Sequence, residues 1–271
     1  IIVGNKTDQQ PLDLDRRGLQ AKYPNICAFV ETSCQHGTGI SELKQAIADQ
    51  VAKLDHIHDL LPASWFKVKT QLEQLDRDYI PYSEYERLCQ VESIQEELSQ
   101  RTLIDFLHDL GVVLSFYNDD RLHDTSVLNP EWVTNGVYKI LNSRELILDY
   151  KGILNRNLLN QILEPERYPR QKHLFIMDMM RRFELCFDIQ PDQQFLIPDL
   201  LPKEEPFTGD WIDALALEYH YPVLPSSIIS RFIVRMSDKI HRQTSWRSGV
   251  VLAYDGNTAL VLSLIHISEP T

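Results

Sequence analysis

The chain has 271 residues, 43% hydrophobic and 24% charged, ordinary proportions for globular domains and enough length for more than one hydrophobic core. Its net charge of −12 opposes general binding to nucleic-acid backbones or anionic lipid, and no stretch approaches the roughly 18 uninterrupted apolar residues of a membrane span. Cys27, Cys34, Cys89 and Cys186 are scattered with no C-x-x-C pair, and the first residues carry no signal-peptide pattern. Reduced thiols and a cytoplasmic location are the expectation.

Ile1-Ile2-Val3-Gly4 reads as the end of a buried strand entering a loop, Asn5-Lys6-Thr7-Asp8. Such a strand implies a sheet built upstream, so the chain is expected to be a fragment that joins a fold part-way. A polar helix is expected from near Pro11, and a second buried strand at residues 26–30. A loop rich in glycine and hydroxyls follows from Glu31 to Gly39. Ser41 is a candidate cap for a helix in which Ile40, Leu43, Ile47, Val51 and Leu54 lie close to one face. Strand, loop and helix, repeated, is the arithmetic of an α/β domain.

Beyond Asp55-His56-Ile57-His58-Asp59 the pattern changes. Pro62 opens a helix with Trp65, Val68, Leu72 and Leu75 at near-helical spacing, and Ser83 with Glu86 forms a candidate capping box for the next one. Leu103, Phe106, Leu107 and Leu110 make a helical stripe that stops at Gly111. Residues 112–117 and 125–128 read as a hairpin, and Asn129-Pro130 as the N-cap and first residue of another helix. Helix, hairpin, helix is the grammar of a winged-helix unit. A weaker echo has helices at 157–163 and 171–183 and a hairpin of 183–188 with 194–198. Pro198, Pro202 and Pro206, with Lys203-Glu204-Glu205, read as a linker. A strand at 214–219, a helix near 225–236 and a hairpin of 249–254 with 259–262 follow. Residues 263–271 resemble the translated read-through of a sequencing adapter and are expected to be non-native.

Several chemistries are weighed against these residues. Residues 101–150 hold four Lys or Arg against eight Asp or Glu, and the candidate recognition helix at 130–141 has one basic residue, Lys139, which argues against DNA binding. His56 and His58 do not share a helical face, so a solvated helix end is preferred to a metal site. Met177, Met179 and Met180 read as core filler, and His108, with no paired nucleophile, as a structural or interface residue. The G-x-S-x-G and H-E-x-x-H templates are absent. No catalytic residue and no metal ligand is assigned.

Asn5-Lys6-x-Asp8 after a buried strand resembles the guanine-specificity motif of P-loop GTPases. Guanine presents two donors on one edge, and an ionised carboxylate at Asp8 can accept both. Adenine presents the opposite pattern, and rejection through unpaired buried polar groups can reach roughly 10⁴-fold. In that family the Asn ties the loop to the base and other loops, and the Lys stem lies over the purine. Thr32-Ser33-Cys34-Gln35 resembles the loop whose backbone amide donates to guanine O6, with Cys34 where Ala is usual and Gln35 where Lys is common. The resemblance implies guanine contacts from Asn5, Lys6, Asp8, Ser33 and Cys34. No G-x-x-x-x-G-K-[ST] occurs, so ligands for phosphate and Mg²⁺ are not expected in this chain, nor is GTP hydrolysis by it alone. Asp149-Tyr150-Lys151-Gly152 matches D-x-x-G but follows the base motif instead of preceding it, and is read as coincidence.

Leu61-Pro62-Ala63-Ser64-Trp65, Phe106-Leu107-His108-Asp109-Leu110-Gly111 and Leu128-Asn129-Pro130-Glu131-Trp132, in that order, resemble the COR domain of Roco proteins, where a Ras-like Roc GTPase is followed by COR. The implied fold is an α/β remnant of a P-loop GTPase domain at 1–55, then a mostly α, winged-helix-containing α+β COR domain. Its N-terminal half would span 56–205 and the start of its C-terminal half 206–262. The implied function is that of a regulatory and dimerisation module beside guanine-recognition loops, with GTP or GDP and Mg²⁺ in the complete protein. The implied partners are upstream Roc residues and a second copy, not nucleic acid or membrane. A protein-interaction scaffold with a degenerate nucleotide site is the alternative.

Overall fold

The computed structural model describes residues 1–55, 60–212, 214–221 and 224–263. The expectations for His56 and His58, and for residues 264–271 of the tail, lie outside them. The chain divides into two units, Ile1–Pro62 and Ala63–Thr271.

The first unit runs β1 (Ile2–Gly4), α1 (Arg16–Lys22), β2 (Phe29–Glu31) and α2 (Ile40–Val51). β1 and β2 pair in parallel, with Ile2 opposite Phe29 and Gly4 opposite Glu31. α1 starts later than Pro11 because Asp15 is the effective cap, its Oδ1 accepting from the Gly18 N–H at 3.0 Å. α2 is capped by Gly39, not Ser41. Gly39 has φ +72°, and a Cβ there would lie 1.9 Å from the Glu31 carbonyl oxygen, so the close approach of two backbones selects glycine and fixes the helix start. On the apolar face of α2, Ile40 and Leu43 are half-buried while Ile47 and Val51 are exposed. A two-stranded sheet is too narrow to cover a helix of three turns.

The second unit opens with α3 (Ala63–Glu73), β3 (Tyr79–Pro81), α4 (Tyr82–Val91) and α5 (Glu97–Asp109). Val68, Leu72, Ile80, Tyr85, Cys89, Leu103, Ile104 and Leu107 form its first core. β3 runs directly into α4, so Pro81 takes the cap position and Ser83 lies inside the helix, in place of the expected capping box.

β4 (Thr125–Val127) pairs antiparallel with β3, Tyr79 opposite Val127 and Pro81 opposite Thr125. This corrects the expected hairpin of 112–117 with 125–128, of which a single bridge, Leu114–Val127, forms. The Val112 and Val113 N–H groups instead donate to the Leu107 carbonyl at 3.0 and 3.4 Å, closing α5 beyond Gly111, whose φ is +72°. Strand alternation then divides the ribbon between two cores: Ile80 enters the first, while Tyr79 and Val127 face the second.

That second and larger core gathers α6 (Pro130–Leu141), α7 (Arg144–Leu148), β5 (Ile153–Asn155), α8 (Arg156–Ile162), α9 (His173–Arg182), β6 (Phe187–Gln190) and β7 (Gln194–Leu196). Asn129 caps α6, accepting from the Glu131 N–H at 3.1 Å, with Pro130 at the first helical position. Trp132 is fully buried, its Nε1 donating to the Arg167 carbonyl at 2.9 Å and its ring stacked on Tyr168 at 5.6 Å. Met177, Met179 and Met180 are core residues, as their spacing suggests. The β6–β7 hairpin gains a third strand, β5, giving the order β5-β7-β6. β5 escapes sequence reading because three residues followed at once by a helix cap, Asn155, show no period.

The expected linker starts later than Pro198. Pro198, Leu200 and Leu201 are buried, and Leu200 belongs to the second core. The expected strand at 214–219 does not form among the described residues, where nothing pairs with it, and Leu215, Leu217 and Tyr219 stay exposed. α10 (Ser227–Arg235) then packs on a sheet of order β10-β9-β8, formed by β8 (Ile240–Trp246), β9 (Gly249–Tyr254) and β10 (Asn257–Leu262).

Three substitutions test this packing by urea denaturation. Gly39→Ala is expected to destabilise the first unit by more than Gly37→Ala, since both glycines have positive φ (+72° and +70°) but nothing lies within 4 Å of a Cβ at Gly37. Equal losses would show that the Glu31 carbonyl yields. Trp132→Ala is expected to cost the second unit about 3–5 kcal/mol; a loss under about 1 kcal/mol would place its ring outside the core.

Candidate functional site

The parallel pairing of β1 and β2 delivers the two loops singled out in the sequence to the same end of a sheet. The ladder continues past both strands. The Thr32 N–H donates to the Gly4 carbonyl at 2.7 Å, and the Thr7 N–H donates to the Thr32 carbonyl at 3.2 Å. The Thr7 hydroxyl donates to the same carbonyl at 3.1 Å. On the other side the Thr32 hydroxyl lies 3.4 Å from both the Gly4 carbonyl and Asn5 Oδ1. Asn5 Oδ1 in turn accepts from the Lys6 N–H at 2.8 Å.

Lys6 adopts a left-handed backbone, φ 62°, and its carbonyl accepts from the Gln9 and Gln10 N–H groups at 2.9 and 3.2 Å. A non-glycine residue is held there at a cost of about 1 kcal/mol, which the Asn5 side chain and the turn offset. Asn5, Lys6 and Asp8 are all exposed at the loop tip. In the second loop Thr32 and Ser33 are buried while Cys34 is exposed. Ser33 closes its loop by donating its N–H to the Thr38 carbonyl at 3.0 Å and accepting from the His36 N–H at 3.4 Å. The five sequence-selected residues therefore occupy two adjacent loops. Sequence reading gave no role to Thr7 and Thr32, which join those loops; the signal available was a hydroxyl residue at corresponding places in each.

A second concavity, about 640 Å³, lies in the other unit between α5 and α9 and is lined by His108, Ser115, Arg121 and Arg182 among others. Its charges are largely matched internally. Arg182 pairs with Asp119 at 3.0 Å and covers the Phe116 ring, and Arg181 binds Asp178, Asp188 and Asp192. His108 Nδ1 accepts from the Ser115 N–H at 3.3 Å and its ring meets Phe116 edge-on, a structural role for this histidine. The Asp149–Gly152 stretch forms the turn after α7, where a Cβ on Gly152 would lie 2.9 Å from the Ile197 carbonyl oxygen. Among the described residues no group of three or more His, Cys, Asp or Glu is placed to hold a metal ion, and no helix is long and apolar enough to cross a membrane.

Comparison with known proteins finds relatives along most of the chain. The family model "C-terminal of Roc, COR-A domain" matches residues 62–201, and "C-terminal of Roc, COR-B domain" matches residues 213–265. "Probable serine/threonine-protein kinase pats1" of Dictyostelium discoideum is 26% identical over 285 residues, covering 95% of this chain and 9% of that protein. The "Roc-COR-CHAT protease" of Runella zeae is 25% identical over 266 residues, covering 95% of this chain and 28% of that protein. The chain thus spans less than a third of these curated relatives. A solved structure, the RocCORdC of Methanosarcina barkeri Roco2 bound to GDP, is 41% identical with a TM-score of 0.60, over 73% of this chain and 62% of that one. With COR-A sequence over just over half of its length, COR-B sequence after it and Roc-COR proteins among its relatives, the chain belongs to the Roco family.

Proposed function

We propose that this chain carries the base-reading loops of a Roc guanine-nucleotide site, followed by a COR module that couples nucleotide state to protein contacts. The observation that carries the reading is the juxtaposition of Asn5-Lys6-Thr7-Asp8 with Thr32-Ser33-Cys34 at one end of a parallel strand pair. The GDP named for the related Roco2 structure supports the choice of ligand.

In this reading Asp8 accepts from guanine N1–H and the exocyclic amine, and Asn5 braces the loop. The Lys6 stem covers the purine, and backbone amides at Ser33 and Cys34 face O6. No G-x-x-x-x-G-K-[ST] sequence occurs in this chain, and in this reading the phosphate loop and Mg²⁺ ligands would come from other residues of the full-length protein. The helix-and-strand units of COR-A serve as packing surfaces. The segment before α10, with Leu215, Leu217 and Tyr219 exposed, serves in a homodimer contact. The unpaired cysteines fit a cytoplasmic location.

Asp8→Asn in the full-length protein tests the base assignment. An amide accepts only one of guanine's two donors and turns its own N–H₂ toward the other, whereas xanthine presents a carbonyl there. Loss of one hydrogen bond, and of the charge assistance on the other, predicts a fall in GDP affinity of roughly 10²-fold or more, with a gain for xanthosine diphosphate, read by fluorescence titration. Unchanged GDP affinity in the variant would remove Asp8 from the site. A wild-type protein without nucleotide affinity would favour the interaction-scaffold alternative. Leu217→Asp is expected to shift the full-length protein from dimer to monomer in light scattering; an unchanged dimer would move the contact elsewhere.

A further inference from the structure

The base motif leaves its third position open, and here that position is Thr7. Thr7 makes more contact with the second loop than any of the three residues the motif specifies. Both its N–H and its hydroxyl donate to the Thr32 carbonyl, at 3.2 and 3.1 Å. Thr32 is buried and returns a hydroxyl to the vicinity of Asn5 Oδ1 at 3.4 Å. Asn5 Oδ1 holds the Lys6 N–H at 2.8 Å, and Lys6 is the left-handed residue of the loop. Thr32 is thus tied to the loop on both sides of Lys6, through Asn5 before it and Thr7 after it.

We infer that Thr7 and Thr32 form a clamp of positioning residues that sets the height of Asp8 against the second loop, and so determines how well the site distinguishes guanine from related bases. This inference rests on the guanine reading above. The physical reason is lever length. Asp8 is exposed at a loop tip with a left-handed residue two positions before it. Its carboxylate must meet two donors on a rigid ring, and a misplacement of one ångström lengthens both hydrogen bonds beyond useful range. The backbone ladder alone fixes Thr7 by one bond. The hydroxyl adds a second from the same residue to the same oxygen, which restrains its rotation about the first.

The hydroxyl is testable without unfolding the site, since Thr7 is only half-buried and valine keeps its β-branched shape. In the full-length protein, Thr7→Val is expected to speed release of a fluorescent GDP by about three- to tenfold, the range for one lost hydrogen bond. It is also expected to narrow the preference for GDP over inosine diphosphate, which lacks the amine that Asp8 reads. Thr7→Ser, which restores the hydroxyl, is expected to recover both. A merely structural role would lower the unfolding midpoint and leave the GDP-to-inosine-diphosphate ratio at the wild-type value, and that result would overturn the clamp. If wild type binds and discriminates while Thr7→Val matches it in both readouts, the clamp falls and the guanine reading stands. If wild type shows no guanine preference, the reading falls and takes the clamp with it. Thr32→Val removes the hydroxyl that faces Asn5 Oδ1 and keeps the carbonyl that Thr7 meets, so Thr32→Val against Thr32→Ser tests the Asn5 side of the clamp, with loss of discrimination expected in the first and recovery in the second.

Discussion

Hydrogen bonding between short strands distant in sequence is the constraint from which both units are built. β1, β2, β3, β4, β5 and β7 have three residues each. A strand that short has no stability of its own and leaves costly unpaired backbone groups unless it finds a partner. Each finds one on the far side of at least one intervening helix or turn: Gly4 at Glu31, Tyr79 at Val127, Ile153 at Leu196. Helices supply many of the buried residues, yet these pairings constrain where the helices can sit.

The effect is clearest at the β3–β4 ribbon. Residue alternation sends Ile80 into the core of α3, α4 and α5, while Tyr79 and Val127 join the core around Trp132. Two cores therefore share one pair of strands, so neither can be repacked without shifting the other. Tyr79 also packs against Trp132, with ring centroids 4.8 Å apart, and against the Lys172 ammonium, 5.0 Å from its ring. The Lys172 ammonium donates to Thr125 Oγ1 at 2.6 Å, and its burial works against the charge. A cation is tolerated there because an aromatic face and a hydroxyl replace part of its hydration.

In the first unit the same constraint brings two loops together. A parallel pair brings both strands to the same end, so the loops that leave them are neighbours by construction. The positions of Thr7 and Thr32 extend the ladder beyond regular strand geometry. Gly39 lets the second loop fold back until its backbone meets the Glu31 carbonyl. The site is thus assembled mostly from backbone, which leaves Asn5, Lys6 and Asp8 exposed at the tip.

Much of this was legible in the residues. Helical period and caps placed α6 at Asn129-Pro130 and ended the α5 stripe at Gly111, because those signals are local: a side chain that satisfies its own helix end, a glycine that tolerates a positive φ. The order of the two loops after β1 and β2 was legible for the same reason. What could not be read was partnership. Val112 and Val113 look like a strand, but their N–H groups turn back to the Leu107 carbonyl. Residues 214–219 have a strand's composition and no partner among the described residues, while Ile153–Asn155 and Ile240–Trp246 pair despite weak patterns. The sequence by itself determined most of the local elements and the two loops that leave the first unit's strands. Only the tertiary structure decided which strands pair, that β3 serves two cores, and that Thr7 meets Thr32, because a hydrogen bond between distant segments leaves no periodic trace in either one.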